Sequence, residues 1–179
     1  MVTIRKEEVR DIWAIRNLNE VAFDGSAEAD VVDKLRQRCD DCLSVVAVDG
    51  HEVVGHVMFS PATVESGGRV IRGMGLAPMA VLPNYQRKGV GTALIERGLA
   101  LLREKRCPFV IVLGHADYYP RFGFVSASRY NLKSQWEGIP DEAFMILVFD
   151  QKALKGVHGV VKYREEFNEA MEEPNKVVQ

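Results

Sequence analysis

Apolar positions along the 179-residue chain change period several times, and each change predicts an element. Val2-Thr-Ile-Arg5 reads as a short first strand. Over residues 8–23 the apolar Val9, Ile12, Trp13, Ile15, Leu18, Val21 and Ala22 recur near helical spacing, and Asp24-Gly-Ser26 ends that helix. Ser26 and Glu28 open a second helix with Val31, Val32 and Leu35 as its apolar face. Residues 43–48 and 53–59 flank Asp49-Gly50, a dipeptide that accepts the positive φ angles of a tight turn, so they read as a hairpin. Ser66-Gly-Gly68 marks another turn, followed by Val70-Ile71 and a strand around residues 75–81. Pro78 inside that strand has no N–H for a ladder, which predicts a bulge or an edge. A strand that starts after Pro78 is the plainer alternative.

Residues 90–104 carry the clearest helical period, with Val90, Leu94, Ile95, Leu99, Leu101 and Leu102 on one side and charges at Glu96, Arg97, Arg103 and Glu104. Beyond Pro108, the run Phe109-Val-Ile-Val-Leu113 is continuously apolar and reads as a buried strand, as do residues 144–149. Between Phe124 and Phe144 the pattern is weak. Residues 157–163 predict a short strand or arm. Residues 165–179 are charged, contain Pro174 and lack sustained periodicity, so a frayed tail is expected. The element order predicts an α+β fold in which helices flank a mixed sheet, with one domain over residues 1–164 and a charged tail over 165–179.

Composition narrows the function classes. The net charge is −2 with both signs intermixed, so no basic stripe points to nucleic acid. No apolar run approaches bilayer length, and the first residues lack the apolar core of a secretory signal. The expectation is a cytoplasmic protein with no membrane partner. The three cysteines are Cys39, Cys42 and Cys107; the lone Cys39-Asp-Asp-Cys42 has no second ligand pair at zinc spacing, so reduced thiols and no metal are expected.

Chemistry concentrates in Met79-Ala-Val-Leu-Pro-Asn-Tyr-Gln-Arg-Lys-Gly-Val-Gly-Thr92, which runs from an apolar strand through a turn into the helix at residue 90. N–H groups in a first helical turn carry partial positive charge, and glycines let an anion come close to them, so the segment can cradle a phosphate or pyrophosphate. The Walker pattern fails because Lys88 precedes Gly89. The dinucleotide fingerprint fails because Leu94 stands where its third glycine belongs. What fits is Gln/Arg-x-x-Gly-x-Gly after a strand ending in Ala-Val-Leu-Pro. One helix and one strand later comes Gly114-His-Ala-Asp-Tyr-Tyr-Pro-Arg-Phe-Gly-Phe124.

In order and separation these two segments resemble the acyl-CoA-binding core of the GCN5-related N-acetyltransferases, the GNAT superfamily. The likeness spans roughly residues 1–150. It extends to small bacterial and archaeal members of the YhbS-like group, which also carry Tyr-Tyr-x-Arg-Phe-Gly-Phe and end in a segment like Gly159-Val-Val-Lys-Tyr163.

The resemblance implies acetyl-CoA as cosubstrate. Backbone atoms of Met79, Ala80 and Val81 would hydrogen-bond the pantetheine amides, in a gap that a bulge at Pro78 opens between two parallel strands. N–H groups across Arg87, Lys88, Gly89, Val90, Gly91 and Thr92 would hold the pyrophosphate, with the charges of Arg87 and Lys88 nearby or merely solvated. Tyr119, four residues before Gly123, would be the general acid; a phenol titrates near 10 and a thiol near 8.5, so it is protonated at neutral pH. No base stands out. Glu28, His56, His115 and Asp117 are candidates, with His115 nearest in sequence and suited in pKa; a water chain would serve instead. The Asn that often follows the fifth strand in this family is missing. The implied activity is acetyl transfer to a primary amine of a small molecule or protein by direct attack, with a non-catalytic acyl-CoA sensor or regulatory module as the alternative. The amine is unidentified, its pocket is expected from the first two helices and residues 24–30 and 126–140, and a homodimer is left open.

Overall fold

In the computed structural model, which describes residues 1–172, the chain begins with strand β1 (Val2–Lys6). Two helices follow, α1 (Ile12–Phe23) and α2 (Ala27–Arg38), and then the meander β2 (Leu43–Asp49), β3 (Glu52–Ser66) and β4 (Arg69–Val81). Helix α3 (Val90–Glu104) leads into β5 (Phe109–Leu113). The remainder is β6 (Val125–Ser126), β7 (Leu132–Ser134), β8 (Phe144–Val148), β9 (Gly159–Lys162) and the short helix α4 (Asn168–Glu172). Strands run in the order β1-β2-β3-β4-β5-β8-β6, with β9 pairing both β3 and β7. Neighbours in that order are antiparallel except β4 and β5, which run parallel as a crossover through α3 requires. The mixed sheet flanked by helices is the fold class that the sequence predicts.

Each face of the sheet has its own core. Leu94, Ile95 and Leu102 of α3 pack on one face against Val57, Phe59 and Val112. Ile15 and Leu18 of α1 and Val32 and Leu35 of α2 pack on the other against Met58, Ala62 and Ile111. Alternation along β3 sends Val57 and Phe59 to one face and Met58 to the other.

Three expectations need correction. Val9, Trp13 and Val21 are exposed, whereas Asn19 is fully buried. Ile15, Leu18 and Ala22 set the buried stripe at i, i+3 and i+7, and Asn19 falls within it at i+4. Strands β3 and β4 are longer than expected: they pair with each other out to Ser66 and Arg69, and β9 adds an antiparallel partner to β3 at Thr63 and Val64. Finally, residues 165–172 are not frayed. They form a 3-10 turn and α4, in which Phe167 is buried against the Tyr163 ring at 5.2 Å. Arg164 pairs with the buried Glu166 at 2.7 Å, and Lys34 pairs with Glu169. The periodicity is too short to show in sequence because a single aromatic does the anchoring. Residues 173–179, the rest of the expected tail, lie outside the described residues.

Candidate active site

The register between β3 and β4 steps from Val57–Met79 to Phe59–Leu76, so Met58 faces two residues, Ala77 and Pro78. This is the bulge expected at Pro78, where a missing N–H does no harm. On its other side β4 pairs with β5 only at Met74, Gly75 and Leu76. Beyond the bulge, residues 79–81 therefore keep their pairing with β3 but have left β5. Leu82 donates its N–H to the Val54 carbonyl at 2.9 Å. Antiparallel alternation then points Ala80 toward β3 and turns the N–H and C=O of Met79 and Val81 to the open side. Gln86 agrees with this: its Nε2 donates to the Val81 carbonyl at 3.0 Å. The expected backbone role of Ala80 is corrected accordingly; its N–H and C=O face His56 on β3, although the residue lines the cleft.

The opening belongs to a cleft of about 1370 Å³ that runs through the gap between β4 and β5. Met79, Ala80, Val81, Arg87, Gly89, Gly91, Thr92 and Tyr119 all line it, so eight of the ten sequence-derived site residues meet in one place. The loop before α3 curls through positive φ at Arg87 (58°) and Gly89 (84°) and aims the first-turn N–H groups at the cleft. Two residues are placed differently. Val90 turns its side chain into the core under α3, leaving only its backbone for a ligand. Lys88 lies over the Tyr85 ring at 5.9 Å, on an outer surface shared with Asp49 and Glu52. Its charge is solvated there and does not line the cleft.

A cation that sequence reasoning missed takes its place. Arg121 reaches back from the turn after β5, with Nη2 3.4 Å from Thr92 Oγ1 and its guanidinium 4.3 Å over the Tyr118 ring. It stands three residues after Tyr118 in the same turn, a spacing that could have drawn notice. The Tyr118 hydroxyl rests on the first turn of α3, where a Cβ at Gly91 would come within 2.8 Å of it.

Tyr119 is nearly fully buried. Its ring lies against Gly114, whose Cβ, if it had one, would meet Cε2 at 2.3 Å. Tyr118 stands edge-on to it at 5.2 Å and Phe124 at 5.8 Å. Burial pushes the Tyr119 phenol well above the usual range, with Tyr118 a second cause, so it is a firmly protonated donor. Tyr163, also buried, is pushed up by burial first and by Tyr119 second. The Tyr163 ring crosses β4 over Gly75, where a side chain would meet it at 2.3 Å, and its hydroxyl donates to the Ile111 carbonyl at 3.5 Å.

Of the four candidate bases, Glu28, His115 and Asp117 line the cleft. His56 does not. It is buried beneath α1, where Nδ1 accepts from Asn19 Nδ2 at 3.3 Å and Nε2 therefore donates to Ser44 Oγ at 2.9 Å. Ser44 passes the hydrogen bond on to Glu7, and Glu7 accepts from Arg36 Nε at 2.7 Å. Burial, and secondarily the charge of Arg36, lowers the His56 pKa to about 3. With both nitrogens occupied and no access to the cleft, His56 is structural, and its candidacy as base is corrected. Among the described residues there is no cluster of three or more His, Cys, Asp or Glu side chains that could hold a metal ion. Among the described residues, no helix is long and apolar enough to cross a membrane.

Comparison with known proteins agrees with this geometry. The family model for the acetyltransferase (GNAT) domain matches residues 3–127. The N-acetyltransferase YhbS of Escherichia coli (strain K12) is 37% identical over 166 residues, covering 92% of this chain and 98% of the relative. The crystal structure of Escherichia coli YhbS in complex with CoA superposes with a TM-score of 0.86 at 36% identity, covering 93% of this chain and 92% of that one. A GNAT family acetyltransferase from Brucella melitensis, in complex with acetyl-CoA, gives 0.75 at 34% identity, covering 93% of this chain and 98% of that one.

Proposed function

The chain belongs to the GNAT acetyltransferase family, and from that premise we propose that it transfers an acetyl group from acetyl-CoA to a primary amine by direct attack. One observation carries the reading: the open backbone edge of Met79 and Val81 leads, through the turn of residues 82–89, into the first turn of α3, and both line the same cleft. Such an edge accepts an extended chain bearing amides, and such a helix start accepts a pyrophosphate. Pantetheine and pyrophosphate follow each other in CoA in the order that these two features follow each other here. Arg87 and Arg121 add cationic charge at the phosphate end, and the relatives crystallised with CoA and acetyl-CoA support the same ligand.

Positioning would do most of the chemistry, since holding amine and thioester in register removes a barrier of several kcal/mol, on the order of 7 or more. The amine lone pair attacks the acetyl carbonyl carbon, the C–S bond breaks, and the amine sheds a proton. Tyr119 lines the cleft with its hydroxyl proton intact, and it donates to the sulfur as negative charge gathers there. The dry surroundings that raise the phenol raise a thiolate's basicity too, so the proton is not lost to a mismatch. A water chain toward the rim residues His115 and Asp117 can take the amine proton. Three free thiols fit a reducing, cytoplasmic setting.

Isothermal titration of acetyl-CoA, with CoA release followed in the same samples against a panel of amines, tests the reading. Binding with turnover supports it. Binding without turnover on any amine favours a sensor, and no binding overturns the assignment of residues 79–92.

A further inference from the structure

Where β4 and β5 part, a side chain from just beyond β9 lies across the fork. The two strands pair at Met74, Gly75 and Leu76, and past that point Leu76, Ala77, Pro78, Leu113 and Tyr163 all line the cleft. The Tyr163 ring covers Gly75 so closely that a Cβ there would come within 2.3 Å of it, and its hydroxyl reaches the Ile111 carbonyl of β5. One residue thus touches both strands at the place where they diverge. It is mounted firmly, on the sheet face that α1 and α2 cover. Lys162 before it pairs with Thr63 of β3, and the Tyr163 N–H donates to Gln135 Oε1 at 2.6 Å. Its ring stands 5.4 Å from that of Trp136 and 5.2 Å from that of Phe167, centre to centre. A ring packed on these sides cannot swing aside without opening the core.

The geometry points to Tyr163 as the residue that sets how long an acyl group the cleft accepts. The inference rests on the acetyl-transfer reading above and names its donor class, CoA thioesters of short acyl groups. Taken from its phosphate end, the ligand would pass the first turn of α3, then Val81, then Met79. The thioester comes next, at Ala77 and Pro78, where the fork closes. An acyl chain that continues along the gap runs into the Tyr163 ring and the paired strands behind it. A short acyl group stops ahead of them. Each further methylene must either crowd a rigidly packed ring or bend out of line, and bending would carry the carbonyl carbon away from its place for attack. Tyr163 is therefore a specificity-determining residue that acts by shape and takes no part in proton transfer.

The test is isothermal titration of the full chain with CoA, acetyl-CoA, butyryl-CoA and hexanoyl-CoA, which needs no acceptor amine. Butyryl-CoA and hexanoyl-CoA should each bind at least about tenfold more weakly than acetyl-CoA. Tyr163→Leu removes the ring and should bring the hexanoyl penalty below about threefold, whereas Tyr163→Phe keeps the ring and should preserve it. A crystal structure of the unsubstituted chain with acetyl-CoA should place the acetyl methyl within about 4.5 Å of the Tyr163 ring, a result that depends on neither variant folding. Hexanoyl-CoA bound as tightly as acetyl-CoA would overturn the inference. So would a folded Tyr163→Leu chain that keeps the full penalty, or an acetyl methyl directed away from Tyr163. The parent reading fails separately, by the absence of binding of CoA and acetyl-CoA alike.

Discussion

The two ends of the cleft are built on opposite principles. Near α3 the ligand would meet backbone: the edge of Met79 and Val81 that β5 leaves unpaired, the first-turn N–H groups and glycines that keep side chains out. On the other face it would meet side chains: Trp136 from the stretch after β7, and Tyr163 and Phe167 from the stretch after β9. Backbone groups are the same whatever residue bears them, so the first end suits a ligand that never changes. Side chains can be exchanged one at a time, so the second end suits a ligand that differs between relatives. Tyr119 stands where the two meet.

Disturbing that junction should have the largest effect. Tyr119→Phe removes the proton donor and keeps the ring, so kcat should fall by about 10²- to 10³-fold with acetyl-CoA affinity unchanged; turnover and titration on the same variant check both halves. An unchanged kcat would reduce Tyr119 to a packing aromatic. Next comes the side-chain end, through its anchor. Phe167→Ala should destabilise the fold by about 3 kcal/mol and lower Tm by roughly 10 °C, since Phe167 is 8% exposed and packs on the Tyr163 ring. A Tm within a degree or two of the parent would return residues 165–172 to the status of a tail.

A third expectation concerns the polar cluster beneath α1. His56 is held near pKa 3, below its unfolded value of about 6.5, so the unfolded chain binds the extra proton. The stability this contributes is complete above about pH 6.5 and is lost as pH falls toward 3, by up to about 1.4 kcal/mol per pH unit. Urea unfolding at pH 7, 6 and 5 should show that decline, and His56→Gln should flatten it whatever the variant's absolute stability. The backbone end should be sensitive to bulk and indifferent to nearby charge. Gly91→Ala sets a Cβ 2.8 Å from the Tyr118 hydroxyl and should weaken acetyl-CoA binding about tenfold, or about 1.4 kcal/mol. Smallest of all is Lys88→Ala, which should change that affinity less than about twofold because Lys88 lies over Tyr85 outside the cleft.

The same division decides what could be read from sequence. The backbone end is local: bulge, turn, glycines and helix start fall within residues 77–92, and each leaves a mark in residue type. Pro78 announces the bulge, and Gly89 announces the curl into α3. Even there the alternation that turns the N–H and C=O of Ala80 toward β3 is a matter of pairing register, which residue types do not fix. The side-chain end is assembled by tertiary contact. Trp136 sits in a stretch without periodicity, and Phe167 is one buried aromatic in a charged run. Their meeting depends on β7 pairing with β9, and their place on the sheet depends on β9 pairing with β3 across about a hundred residues of chain. The burial of Asn19 and His56 was illegible for a related reason, since a polar residue on an apolar stripe reads as noise until its partner on another strand is known.

Strand β3 also works as a ruler. Val57 pairs with Met79 near one end, and Thr63 pairs with Lys162, the neighbour of Tyr163, near the other. Six residues of extended chain hold those marks about 20 Å apart at roughly 3.3 Å per residue. The spacing between donor and acceptor is thus fixed by a hydrogen-bonded rod and not by loops. Residues 126–140 could be lengthened, shortened or rewritten to admit a new amine while the thioester stays at the same remove. A single insertion within β3 would instead miscalibrate both ends together.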